Sequence, residues 1–135
     1  MNKKFVYVVL AYVVTSMICG MLWHFVFFDK TYHSLGIYNR IDPIIPLGLL
    51  SMTIQGIIIA YLFPFYYKDG NSIAHGIKFS LIIGLFLFSV SALANAAKIE
   101  VASMSTWIIL QASFHFIQFL IVGILIGFVY SKSRR

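Results

Sequence analysis

Apolar residues run through this chain in four long blocks separated by short polar breaks. The blocks cover about residues 5–28, 44–67, 73–97 and 106–130, and the breaks cover 29–43, 68–72 and 98–105. Within a block the apolar residues are continuous and do not alternate, which removes the two-residue period of a transmembrane β-strand. Wound as an α-helix, each block would be about 36 Å long, against a hydrocarbon core of about 30 Å. Turn-forming residues mark the breaks, Asp42-Pro43 in the first and Asp69-Gly70-Asn71 in the second. The pattern predicts an all-α, polytopic membrane protein: one four-transmembrane-helix bundle forming a single domain over residues 1–135.

Composition points the same way. Of 135 residues, 61% are apolar and only 10% charged, whereas about a quarter of a soluble domain is charged. Lipid is the natural solvent for such a surface, and four passes leave no length for a soluble catalytic domain. The net charge of +6 sits at the block ends rather than on a polar face interleaved with aromatics. Membrane lipids are therefore the expected partners, and nucleic acid is not. Lys3 and Lys4 before an apolar stretch resemble the start of a signal peptide. The stretch is too long for one, though, no Ala-x-Ala follows it, and Ile18 stands where a lipoprotein site before Cys19 needs a small residue. It is expected to remain as a span. Cys19 is the single cysteine and forms no intrachain disulfide.

Charge sets the expected orientation. Lys3, Lys4, Lys68, Lys78, Lys132, Arg134 and Arg135 fall on one side of a four-span chain; Lys30, Arg40 and Lys98 fall on the other, with Asp29, Asp42 and Glu100. The positive-inside rule places the first side, and so both termini, in the cytoplasm (N-in/C-in), and Tyr66, Tyr67, Trp107 and Tyr130 suit interfacial belts.

No Asp, Glu, Lys or Arg lies deep in a block, which argues against a pump built on a buried carboxylate. Uncharged polar residues do occur there, at helical spacing. Gln111, His115 and Gln118 share a stripe on the fourth block, as do Ser80, Gly84, Ser91 and Asn95 on the third. Ser51 and Gln55 align on the second, and Ser16, Gly20 and His24 on the first. Nearly all the hydrogen-bonding side chains then fall in the outer half, and the inner half carries the close-packing pair Gly123 and Gly127. Two readings follow. These residues either bond helix to helix, or they line a pocket roofed by the 29–43 loop. The candidate pocket residues are His24, Ser51, Gln55, Ser91, Asn95, Gln111, His115 and Gln118. Lacking charge, they would suit an uncharged or lipid-like ligand.

His24 and His115 lie at comparable depth on two helices, which keeps haem or quinone open as a minor cofactor reading. No histidine pair has metal-ligand spacing, so no metal is expected. His33 and His75 fall at loop or boundary positions and should face solvent. Nucleophile elbows, zinc-protease motifs, phosphate loops and paired carboxylates are absent, so no enzyme is expected.

Trp23, the stretch from Tyr32 to Gly36, Gly84 and the segment Ala94-Asn95-Ala96-Ala97-Lys98 resemble small bacterial four-helix inner-membrane proteins of a domain-of-unknown-function family. The resemblance covers most of the chain and implies a bacterial inner membrane, with no activity attached. It departs in the fourth span, where Gln111 and His115 occupy a region that often carries an acid. The expected function is binding, or helping to move, a small uncharged or lipid-like ligand. The alternative is an accessory subunit, in a homo-oligomer or on a larger membrane complex.

Overall fold

A computed structural model describes residues 2–38 and 40–131. Lys132, Arg134 and Arg135, which entered the charge comparison, lie outside the described residues. Four helices are long and apolar enough to cross a membrane: Lys3–Phe27, Ile45–Tyr66, Ser72–Ala96 and Met104–Ser131. No end departs from its block by more than two residues. A 20-residue apolar run integrates many side chains, so its ends are well set even where single residues are ambiguous.

The first long helix begins as α1 (Lys3–Met21) and continues through a π-helical segment, Leu22–Phe27. A short helix α2 (Asp29–Ser34) follows, then α3 (Ile45–Tyr66). The third long helix is α4 (Ser72–Phe88), a second π segment (Ser89–Leu93) and a last turn α5 (Ala94–Ala96). The fourth is α6 (Met104–Ser131). Helix starts follow their local chemistry. The Asn2 side chain accepts from Lys4 N–H, and the Asn71 side chain accepts from Ile73 and Ala74 N–H at 3.1 and 3.2 Å, each satisfying donors that the first turn cannot. Just before Asn71, Gly70 takes φ +86°, the left-handed conformation that a glycine permits and a tight α3–α4 turn requires.

Helices α4 and α6 form the most extensive interface, α1 packs on both α3 and α6, and α3 and α4 make the sparsest contact between consecutive long helices. The α4–α6 seam follows from a four-residue repeat on both helices. Ser72, Gly76, Ser80 and Gly84 are buried along α4, and Trp107, Gln111, His115, Phe119, Gly123 and Gly127 are buried along α6. Rows four apart form a ridge, and the two antiparallel ridges are graded in size so that small faces small or large. The pair Gly123 and Gly127 therefore packs within the chain, against Gly76, Ile73 and Ile77.

Two apolar clusters complete the core. One gathers Val8, Tyr12, Ile59, Phe63, Phe79, Phe119, Val122 and Ile126. The Phe63 ring meets Phe79 at 5.4 Å and Tyr130 at 4.8 Å, and the Lys4 ammonium sits 4.8 Å over the Tyr130 ring. The other cluster, at the opposite end, joins Tyr32 and Leu35 to Trp107 and Leu110. There the 29–43 loop folds down, and Ala102 N–H donates to Leu35 O at 3.2 Å. Only its first part serves as a roof, because Ile41 is 98% exposed. The outward faces of the long helices carry Leu10, Val14, Leu47, Ile54, Phe86, Ile109 and Phe116, all exposed. Water-soluble monomers rarely expose so much contiguous apolar surface.

Candidate functional site

The two π segments lie at the loop-capped end of the bundle. In the first, Phe28 N–H donates to Trp23 O, five residues back, at 3.0 Å. A π turn inserts an extra residue and carries everything beyond it around the helix axis. The stripe extrapolated at 100° per residue therefore breaks. Asn95, aligned with Ser91 by that extrapolation, stands exposed and donates to Ser91 O at 2.9 Å. His24, inside the first π segment, is half-buried, with its ring 4.8 Å from both Tyr32 and Phe114.

Below this level lies a cavity of about 220 Å³ to which all four long helices contribute. Its polar lining is Tyr12 and Ser16 from α1, Gln55 from α3, Ser91 from the second π segment, and His115 and Gln118 from α6. Met52, Leu87, Phe114 and Phe119 complete it, so no lining residue is an acid, a lysine or an arginine.

Directed hydrogen bonds join the helices across this site. Gln118 Nε2 donates to Ser16 Oγ at 2.7 Å. Ser16 stands one turn along α1 from Tyr12 and lines the same cavity. The Tyr12 hydroxyl donates to Gln55 Oε1, and Gln55 Nε2 donates to Ser51 Oγ at 3.1 Å. These bonds link α6 to α1 and α1 to α3, and their amides and hydroxyls are ordered by one another. His115 is fixed separately: Nδ1 lies 2.8 Å from Gln111 O, and Nε2 lies 3.1 Å from Ser91 Oγ.

Of the candidates read from the sequence, Gln55, Ser91, His115 and Gln118 come together around the cavity. Ser51 is exposed and attaches to its edge through Gln55. Gln111 and His24 sit above it, in the cap, where Gln111 Nε2 donates to the Tyr32 hydroxyl at 3.2 Å. Asn95 is apart. Tyr12 was not nominated, although its i, i+4 spacing to Ser16 extends the first stripe by one turn. His33 is exposed and 3.7 Å from Asp29, while His75 is half-buried with Nδ1 2.9 Å from Asn71 O.

The arrangement does not suit a haem held by two histidines. His24 packs between the rings of Tyr32 and Phe114 in the cap, above the cavity that His115 lines. Among the described residues, no group of three His, Cys, Asp or Glu could hold a metal ion.

Burial in the cap pushes the Tyr32 phenol from 10.0 up to about 12. A phenol neutral in the closed cap but ionised earlier when released stabilises closure fully below pH 10.0, and that contribution is lost as the pH rises toward about 12. In a tyrosinate absorbance titration, Tyr32→Phe should therefore remove one late-ionising component and leave the rest of the curve unchanged. A difference spectrum centred near pH 10 would mean that Tyr32 is in water. The lost hydrogen bond to Gln111 should cost about 1 kcal/mol.

Family models, curated proteins and solved structures, each compared with this chain, gave no match.

Proposed function

We propose that this chain is a membrane protein that binds, or helps to move, a small uncharged or lipid-like ligand through the cavity between its helices. The bundle sits in a bacterial inner membrane with both termini in the cytoplasm, as the distribution of Lys and Arg and the family resemblance suggest. On that orientation the cavity lies about the midplane, with Gln55 and Gln118 near the middle of their helices, and extends into the outer half at Ser91. The observation that carries the proposal is the convergence of Tyr12, Ser16, Gln55, Ser91, His115 and Gln118, from four helices, on one cavity. Interhelical bonding alone would pair such groups without leaving space among them. The uncharged lining restricts the ligand, since burying an ion without a counter-charge is costly.

Native mass spectrometry of the protein released from lipid discs tests this. The wild type should retain a bound mass, and His115→Leu with Gln118→Leu should lose it while keeping the same helical circular dichroism. A wild type free of any adduct, or an adduct indifferent to the double substitution, would leave the polar groups as structural bonds only. A stoichiometric protein partner in the same spectrum would favour the accessory-subunit role.

A further inference from the structure

The hydrogen bonds of the cavity leave two acceptors that no assigned protein donor meets, and this narrows the ligand. Gln111 O is a carbonyl with no proton to give, so in the neutral His115 ring the proton sits on Nδ1 and Nε2 is an acceptor. The Ser91 hydroxyl has one proton and two acceptors in reach, Leu87 O at 2.8 Å and His115 Nε2 at 3.1 Å. The shorter contact takes the proton, which leaves Nε2 facing an oxygen lone pair. The Tyr12 proton is already committed to Gln55. Among the described residues Gln118 donates through Nε2, and its Oε1 accepts nothing. Two acceptors, His115 Nε2 and Gln118 Oε1, therefore look for protons from outside the protein.

Size and surroundings say what brings them. A cavity of about 220 Å³ has room for about seven waters at ~30 Å³ each, enough for a polar head and too little for a whole lipid. The rest of such a molecule needs a way out. Helices α3 and α4 are joined by ring contacts at their short-loop end, Tyr66 and Phe63 against Phe79, and otherwise barely touch. Farther from that loop both helices line the cavity, where Met52 and Leu87 present apolar surface.

We propose that the cavity takes the hydroxyl of an uncharged single-chain lipid alcohol, which donates to His115 Nε2 while the chain leaves between α3 and α4. The proposal rests on the pocket reading above and specifies its ligand class and its route. The competing seat for the chain is an apolar groove of about 340 Å³ on the other side of His115, between Leu81, Leu85, Phe88 and Phe116. That groove offers no polar side chain besides His115 itself.

The test uses hexadecanol and its methyl ether, each with a photoreactive diazirine in mid-chain, and the full chain in phosphatidylcholine discs. The alcohol should bind and label α3 and α4 near Met52 and Leu87. The ether, which accepts but cannot donate, should bind at least about tenfold more weakly. His115→Phe should erase that ratio, and Ser91→Ala, which keeps Nε2, should preserve it; circular dichroism verifies folding of both. Equal binding of alcohol and ether would overturn the donor head, and labelling confined to the groove beside Phe116 would overturn the route. Neither probe binding while the wild type still carries another adduct would overturn the lipid alcohol and leave the pocket standing. No ligand of any kind would remove both.

Discussion

Gly123→Leu should separate α6 from α4 and rank, with substitutions at Gly76 and Gly127, among the most costly in this seam. A Cβ at Gly123 would stand 2.6 Å from Ile77 Cα and 2.8 Å from Gly76 O. Both are backbone atoms, so relief requires one helix to move bodily. From the opposite side, a Cβ at Gly76 would lie 2.3 Å from Gly123 O, and one at Gly127 would lie 2.4 Å from Ile73 Cα. Overpacking by a methyl group costs about 1–3 kcal/mol, so Gly123→Ala should already be measurable, and the branched leucine should exceed it. The loss matters more in lipid than in water. Acyl chains are as apolar as the helix surface, so close packing, not expulsion of water, holds the pair together. Gly48→Ala is the control, because nothing lies within 4 Å of that Cβ, and its effect should stay within about 0.5 kcal/mol. Denaturation in mixed micelles gives the ranking; a Gly123→Leu protein as stable as wild type would mean that α4 and α6 do not meet along this ridge.

The same seam shows what was and was not legible in the sequence. The four blocks were plain because hydropathy sums over a whole helix. The role of Gly123 and Gly127 as a close-packing pair was also visible, but not their partner. That partner, the repeat Ser72, Gly76, Ser80 and Gly84, did leave a signal that the reading of the third block passed over: a small residue at every fourth position. What could not be read was the pair of π segments. An inserted residue leaves no mark in composition, yet it rotates all that follows, so Ser91 stays on the cavity while Asn95 turns outward. Tyr32 was hidden for a different reason. It lies in a polar break, and only tertiary contact with Trp107 and Gln111 makes it part of the core. The candidate site was thus half legible: residue types were informative, and register was not.

Phe119→Ala is expected to produce the second large effect, and one that joins fold to site. Phe119 is 1% exposed, with its ring 6.0 Å from that of Tyr12 and stacked within 5° of His115 at 6.4 Å. In a water-soluble core the change would cost about 3–5 kcal/mol. Here the transfer component shrinks, because the side chain leaves one apolar medium for another. What remains is the void, at about 24 cal/mol per Å³, so a loss of about 2–3 kcal/mol is expected. The void also adjoins the cavity that Phe119 lines, so the substitution enlarges the site while weakening the bundle. Gly84 supplies the internal check. A Cβ there would lie 2.7 Å from the Phe119 ring, so Gly84→Leu alone should also destabilise, through collision. Combined with Phe119→Ala, the leucine enters the space the ring has left, and the double variant should recover at least about 1 kcal/mol relative to the sum of the singles. Strict additivity would show that the two residues do not touch. Recovery of stability without recovery of ligand binding would assign Phe119 a direct part in shaping the cavity, because Gly84→Leu restores volume to the seam but not an aromatic wall beside His115.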